Sequence, residues 1–209
     1  MNSSTDTLIR AELVSFARHP GEGDMPQPGS LEHYGDGLLW LKGQHIHAVG
    51  HFKELLPSLP NGCDVHDYRD KLIMPGFIDS HVHYVQLDIM ASYGRQLLDW
   101  LNEYTFPEEC RFANQAHAEA LSNAFLDEML RSGTTTAQVF GSSHPGSMDA
   151  FFAASQKRQL RMLAGKVLMD RNAPEALMDG KTGIADSERL IADWHGNDRL
   201  GYSVTPRFA

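Results

Sequence analysis

Two histidines separated by one residue offer the clearest chemistry in this sequence. They are His81 and His83, which end the segment Pro75-Gly76-Phe77-Ile78-Asp79-Ser80-His81-Val82-His83. Side chains two positions apart on a β-strand point to the same side, so both imidazoles can reach one metal ion. Imidazole suits zinc, and a catalytic zinc site adds further ligands and a water molecule. The pattern is compatible with a metal site, but by itself it is weak evidence, because a pair of polar loop residues would have the same spacing.

A second pair with the same spacing, His45 and His47, lies in a different context. It follows the turn Lys42-Gly43-Gln44 in a predicted hairpin with strands at 38–41 and 45–49. We predict that these two histidines face solvent around an inward-facing Ile46 and bind no metal.

Strands and helices alternate around His81 and His83. The apolar run that leads from 72–74 into Phe77 and Ile78 is typical of a buried parallel strand, and further strands are predicted at 134–140, 162–168 and 200–205. Helices are predicted between them at 115–131, from Ser147 to 159, and at 187–195. This alternation indicates a parallel sheet, whose carboxyl edge is where such folds place their chemistry.

The chain divides by pattern into two regions. Residues 1–70 show short strands and turns, which predict a small β-domain, and residues 71–209 show the alternating pattern. A closed barrel of eight strand–helix units takes about 250 residues, so the second region suffices for about four units. We therefore expect about half of such a barrel.

Composition limits the classes of function. The chain has 18 Lys+Arg against 27 Asp+Glu, a net charge of −9, which argues against nucleic acids and anionic membranes as partners. It is 42% hydrophobic and 22% charged, with no apolar run long enough to span a bilayer. Its start resembles no signal peptide, and two cysteines exclude a disulfide scaffold. These features predict a cytoplasmic protein that acts on a small molecule.

The segment 75–83 resembles the first-strand motif of the amidohydrolase superfamily. Within that superfamily, the similarity is to the guanine deaminase family. It is carried by the stretch Leu97-Leu98-Asp99-Trp100-Leu101 followed by Thr105-Phe106-Pro107-Glu108. Four further segments match that family in order and spacing: 83–86, 133–137, 165–170 and 204–208. The resemblance implies a (β/α)₈ metallo-dependent hydrolase barrel, half of it in 71–209, with part of a small β-sandwich domain in 1–70.

The resemblance also assigns roles to particular residues. His81 and His83 would be zinc ligands, and the Gln86 amide would read the purine edge. Leu98 and Trp100 would wall the pocket. Arg207 would hydrogen-bond guanine and Phe208 would pack on it.

The implied reaction is hydrolytic deamination of guanine to xanthine and ammonia in purine breakdown. Zinc would activate the water, and a carboxylate would act as general acid and base. The family pattern places the remaining metal ligands and that carboxylate, a His, an Asp and a Glu, beyond position 209. A homodimer is also expected from the resemblance.

Other residues compete for roles in this site. His144 follows the predicted strand 134–140 on the correct face, where a structural loop role is the default. Glu108, Glu109 and Asp170 are acidic candidates without ligand spacing.

Two alternatives remain open at this point. One is another deaminase or chlorohydrolase of the same superfamily. The other is a non-catalytic remnant, because the later ligands are absent from 1–209.

Overall fold

A computed structural model describes residues 6–23, 25–60, 62–94 and 96–207. The chain forms two compact units, Met1–Pro75 and Gly76–Ala209. The division that the sequence pattern places after residue 70 falls inside a strand of the first unit, Val65–Ile73.

The first unit contains a four-stranded sheet. Its strands are β1 (Asp6–Phe16), β2 (Leu31–Lys42), β3 (His45–His51) and β4 (Val65–Ile73), in the order β3-β2-β1-β4. A short helix, α1 (Phe52–Leu55), and a 3₁₀ turn, Leu56–Ser58, connect β3 to β4. The antiparallel pairing of β2 with β3 confirms the predicted hairpin, and β4 pairs with β1 in parallel.

Ile46 differs from its prediction. Its side chain is 67% exposed, so it does not point into a core. The core of this unit is formed instead by Leu8, Leu38 and Trp40, from the two central strands. Ile46 lies at the end of the strand order, where it lines an apolar groove with Leu39.

The second unit is built on a parallel sheet, which confirms the α/β prediction. Its strands are β5 (Phe77–His83), β6 (Thr134–Phe140), β7 (Arg161–Gly165) and β9 (Gly201–Tyr202), in that order across the sheet. The helices α4 (Gln115–Arg131), α5 (Pro145–Lys157) and α6 (Gly183–Trp194) connect successive strands. Strands β8 (Val167–Leu168) and β10 (Thr205–Pro206) form a second, short parallel sheet.

A helical segment at 97–111 has no counterpart in the sequence prediction. It runs from α2 (Leu97–Trp100) through a π-helical turn, Leu101–Thr105, into α3 (Phe106–Arg111). π-helical turns are rare and frequently occur at functional sites.

Helix α4 agrees with its predicted bounds because both ends carry local signals. The Asn114 side chain accepts a hydrogen bond from the backbone N–H of His117 at 3.1 Å, which satisfies one donor of the first turn. At the other end Gly133 adopts a φ of 78°, which suits glycine after a helix.

Helix α5 begins before its predicted start, so the prediction of Ser147 as its cap is wrong. Pro145 occupies the first turn, where a missing N–H costs nothing and the ring constrains φ to a helical value. Ser147 therefore lies inside the helix, and its hydroxyl donates to the carbonyl of His144 at 2.7 Å.

The predicted strand 162–168 is interrupted at Lys166. Its backbone carbonyl accepts from the Thr205 hydroxyl at 2.7 Å, and its N–H donates to the Tyr202 hydroxyl at 3.3 Å. Because side chains bind both backbone groups, the strand ladder stops at this residue. Gly165 permits the close approach of the neighbouring strand, since a Cβ there would lie 1.8 Å from the carbonyl oxygen of Ser203.

The prediction that Phe77 and Ile78 are buried is wrong. They are 53% and 75% exposed. The physical reason is the strand order: β5 is the terminal strand of the described sheet and pairs there only with β6. The main core of the unit lies instead between the sheet and helices α4 and α5, around Phe125, Phe151 and Phe152.

Candidate metal and substrate site

His81 and His83 lie at the carboxyl end of β5, as predicted. Their ring centroids are 5.3 Å apart and their planes are 66° from each other. His81 is exposed and His83 is half-buried. The Asp79 carboxylate accepts a hydrogen bond from the backbone N–H of His81 at 3.0 Å, which orders the chain just before the pair. The pair is thus near enough for both imidazoles to bind one ion.

Phe140 packs against both imidazoles. Its ring centroid is 4.7 Å from that of His83, nearly parallel at 14°, and 4.9 Å from that of His81. Phe140 is the last residue of β6, directly opposite His83 in the parallel pairing. The neighbouring strand therefore restricts the orientation of both rings.

The electrostatic setting keeps His83 neutral. Burial lowers its pKa to about 4, and the positive charge of Arg207 acts in the same direction. Its Nδ1 atom is buried and has no hydrogen-bond partner within the described ranges. A neutral imidazole with an unpartnered buried nitrogen fits a metal ligand, because metals bind the deprotonated ring.

A cavity of about 380 Å³ lies beside the two histidines. Gln86 and Trp100 contribute to its lining, together with His81 and His83. The structure thus brings together four of the residues that the family resemblance assigns to one site.

Tyr84 anchors the part of the chain that carries Gln86. The residues Tyr84–Ile89 form a 3₁₀ turn directly after His83. The Tyr84 ring is fully buried, 4.8 Å from that of Phe151, and its hydroxyl donates to the Ser147 carbonyl at 3.0 Å. Gln86 therefore follows a buried, hydrogen-bonded residue and lines the same cavity as His81 and His83.

Trp100 and Leu98 both belong to α2, but only Trp100 lines the cavity. Trp100 is half-buried and lines the cavity, whereas Leu98 is 71% exposed and does not contribute to that lining. Trp100 also packs against a small core cluster formed by Leu101, Phe106 and Val167, among others.

Arg207 lies at the edge of a second cavity of about 370 Å³, with Asp170 and Arg171. Its Nη1 atom donates to both carboxylate oxygens of Glu109, at 2.8 and 3.0 Å. The guanidinium is still close enough to His83 to lower the pKa of that ring. Phe208 lies outside the described residues.

The three acidic candidates have partners of their own. Glu108 is buried, accepts from Arg111 at 2.6 Å and lies 3.1 Å from a ring nitrogen of His117. The Arg111 guanidinium contacts all three members of the cluster that Asp88, Glu108 and His117 form. We therefore interpret the cluster as an ion-pair network and not as a metal site.

The remaining two candidates are also paired. Asp170 is exposed and pairs with Arg171 at 2.9 Å, and Glu109 binds Arg207. None of the three acidic candidates lines the cavity beside His81 and His83.

His144 occupies the N-cap position of α5 without a side-chain capping bond, and it does not line the cavity beside His81. Its Nε2 atom is buried without a hydrogen-bond partner in the described part of the chain. Burial lowers its pKa, and the positive charge of Lys166 adds to this effect.

Lys166 is a buried cation at the carboxyl edge of the sheet. Burial lowers its pKa to about 8, and its Nζ donates to the Asp179 carboxylate. The second oxygen of Asp179 accepts from the backbone N–H of Met169 at 2.6 Å. The pair thereby connects the segment before α6 to the end of the short sheet.

Sequence reasoning missed two contacts of this site. Phe140 could have been found from the strands alone, since adjacent parallel strands of matched length end opposite each other. The contact between Glu109 and Arg207 has no signal in the spacing, because 98 positions separate the two residues.

Residues 72–209 match the model of the amidohydrolase family. The guanine deaminase of Escherichia coli (strain K12) is 46% identical over 209 residues, which cover 99% of this chain and 48% of that relative. The chain spans about half the length of the curated relatives it matches.

Two solved structures are similar in fold along nearly the whole chain. E. coli guanine deaminase superposes with a TM-score of 0.88 at 42% identity, covering 97% of this chain and 47% of that one. The guanine deaminase from C. acetobutylicum, which has guanine bound in its active site, has a TM-score of 0.81 at 26% identity, covering 98% and 47%.

Proposed function

Because the chain belongs to the amidohydrolase family, we propose that it contributes a metal site and a purine pocket to a hydrolytic guanine deaminase. The single observation that carries the proposal is the juxtaposition of His81 and His83 with Gln86 around one cavity. The similarity to guanine deaminases along 99% of the chain supports guanine as the substrate.

His81 and His83 are the residues that would hold the metal. Members of this family generally bind a divalent metal ion, and two imidazoles favour zinc over Mg²⁺ or Ca²⁺, which prefer oxygen ligands. When bound, zinc lowers the pKa of its water so that hydroxide forms at neutral pH. Phe140 contributes by restricting the rotation of both rings, which reduces the entropy lost on metal binding.

Gln86, Trp100 and Arg207 would hold the base. The Gln86 amide can both donate to and accept from a purine edge, and the Trp100 ring offers apolar area at the cavity wall. The Arg207 guanidinium supplies donors for the acceptor atoms of guanine. Leu98 and Phe208 stay assigned to the pocket by family resemblance alone.

The reaction replaces the exocyclic amine at C2 of guanine with an oxygen from water. Guanine and one water molecule yield xanthine and ammonia. The residues of this chain bind and orient the base over His81 and His83, and we assign none of them to proton transfer.

The proposal includes a larger architecture. The four parallel strands β5, β6, β7 and β9 would be the first strands of a (β/α)₈ barrel, and the N-terminal sheet would be part of a β-sandwich. A homodimer is the assembly that we expect by family resemblance, and light scattering of the natural protein would test it.

The test is a substrate panel on the full-length natural polypeptide. Ammonia release from guanine, other aminopurines and aminopyrimidines, and chloride release from chlorotriazines, would be measured side by side. We expect guanine to have the highest kcat/KM. Turnover of a triazine without turnover of guanine would favour a chlorohydrolase, and failure to retain metal or convert any substrate would favour a non-catalytic remnant.

A further inference from the structure

Glu109 is a fully buried carboxylate in the second unit. Its exposed fraction is 0%, and it lies on α3, away from both histidines in sequence. Burial raises its pKa, whereas the positive charge of Arg207 opposes that rise. Buried ion pairs contribute little to stability on average, because desolvation offsets their attraction. Stability alone therefore does not account for the buried pair of Glu109 and Arg207.

The contact between Glu109 and Arg207 places one nitrogen of the arginine in a defined position. Both oxygens of Glu109 bind Nη1, at 2.8 and 3.0 Å. The backbone N–H of Arg207 donates to the Leu168 carbonyl at 2.9 Å, and its guanidinium carbon lies 5.7 Å from the centre of the Phe106 ring. The short sheet thus fixes the backbone of Arg207, and α3 contacts its guanidinium through Glu109 and Phe106.

The helical segment 97–111, which contains Glu109, also carries Trp100, a wall residue of the cavity beside the histidines. Trp100 and Glu109 belong to the continuous segment 97–111, and the π-helical turn lies between them. The cluster around Leu101, Phe106 and Val167 packs this segment against the short sheet, whose strand β10 ends directly before Arg207. A displacement of the segment would therefore move the pocket wall and the arginine together.

We propose that Glu109 is a positioning residue that holds the Arg207 guanidinium in the orientation needed to recognise the purine. This inference rests on the proposed function, since it presumes that Arg207 binds guanine. Glu109 acts through Arg207 and does not itself touch the base. Its charge matters because a carboxylate binds a guanidinium more strongly and in a narrower range of geometries than a neutral amide does.

Glu108 offers a matched control on the same helix. It is adjacent in sequence, buried and ion-paired, but its partners are Arg111 and His117. Replacing it removes a buried carboxylate from α3 without touching Arg207. A general loss of helix packing would therefore affect both variants alike.

The experiment compares Glu109→Gln with Glu108→Gln in the full-length natural polypeptide, each variant at matched folded fraction by thermal unfolding. We expect Glu109→Gln to raise the KM for guanine by about tenfold or more, with a much smaller change in kcat. Glu108→Gln should leave the KM within about twofold of its original value. Glu109→Asp, which retains the charge on a shorter side chain, should give an intermediate KM.

A double-mutant comparison identifies the partner. In an Arg207→Gln background, Glu109→Gln should raise the KM no further, because the group that it positions is already absent. An equal rise of KM in the Glu108 and Glu109 variants, or a Glu109 effect that persists without Arg207, would overturn the inference.

The same series separates this inference from the proposed function. If the unmodified protein converts no guanine, the proposed function fails before any variant is compared. If guanine is converted and Arg207→Gln raises the KM while Glu109→Gln does not, the positioning role alone is refuted.

Discussion

The two His-x-His pairs of this chain have identical spacing and different surroundings. His45 and His47 lie at the start of β3, where both are exposed. His81 and His83 lie at the end of β5, beside a cavity and against Phe140. On a regular strand this spacing would place two rings on one side in both cases, so the spacing alone does not distinguish the pairs.

The structural neighbours of each pair make the difference. After His83 the chain enters a 3₁₀ turn that Tyr84 anchors in the core and that brings Gln86 to the cavity. Near His47 the aromatic neighbour is Trp40, whose ring lies edge-on at 4.5 Å and belongs to the same sheet. Two histidines on one strand therefore need a neighbouring element that brings another polar group close to them. In the described part of the second unit, the turn Tyr84–Ile89 does this by bringing Gln86 to the cavity.

The largest expected effect is the loss of metal from the pair on β5. His81→Ala and His83→Ala should each lower the metal content of the purified natural polypeptide severely and reduce guanine turnover more than about 100-fold, since ligands matter at least as much as their supporting shell. Elemental analysis and ammonia release measure the two effects. His45→Ala and His47→Ala are the matched controls. Normal metal content in the His81 or His83 variant would refute the assignment of that histidine as a metal ligand.

The next effect concerns substrate binding. Gln86→Ala should raise the KM for guanine about 10- to 100-fold, because buried amide contacts to the base would be lost. Steady-state kinetics and circular dichroism together separate binding from folding. Gln44→Ala removes an exposed amide beside the other pair and should change neither quantity. Unaltered guanine kinetics in the Gln86 variant would refute its recognition role.

A smaller effect concerns the strand that presents the pair. Gly76→Ala would place a Cβ 2.2 Å from the Thr135 hydroxyl oxygen, so β5 and β6 would have to separate locally. We expect a loss of about 1–3 kcal/mol in the free energy of unfolding, measured in urea. Gly94→Ala, which meets nothing within 4 Å, is the control. Equal stability of the two variants would contradict this packing argument.

The smallest effect belongs to the other pair. His47→Ala removes the edge-on contact with Trp40 and should cost about 0.5 kcal/mol of unfolding free energy. Urea denaturation measures that cost, and guanine turnover should stay unchanged. A loss of turnover in this variant would show that the first unit contributes to the chemistry.

Local signals explain which elements could be predicted. The cap at Asn114 and the glycine at 133 define α4, and the β-branched run at 134–140 defines β6. No helix among the described residues is both long and apolar enough to cross a bilayer.

The errors arose where partners distant in sequence compete with local preference. The break at Lys166 follows from hydrogen bonds to Tyr202 and Thr205, which a local pattern does not contain. The exposure of Ile78 follows from the position of β5 in the sheet.

The sequence by itself determined the candidate ligands His81 and His83, the alternation of strands and helices, and the family resemblance. These features depend on residue type and on spacings of a few positions. Over such short spacings the backbone of a helix or strand sets the direction of each side chain. Only the tertiary structure decided that Phe140 packs on both imidazoles, that Leu98 lies outside the cavity lining, and that Glu109 binds Arg207. Such contacts join residues from separate elements, and their geometry is set by how those elements pack.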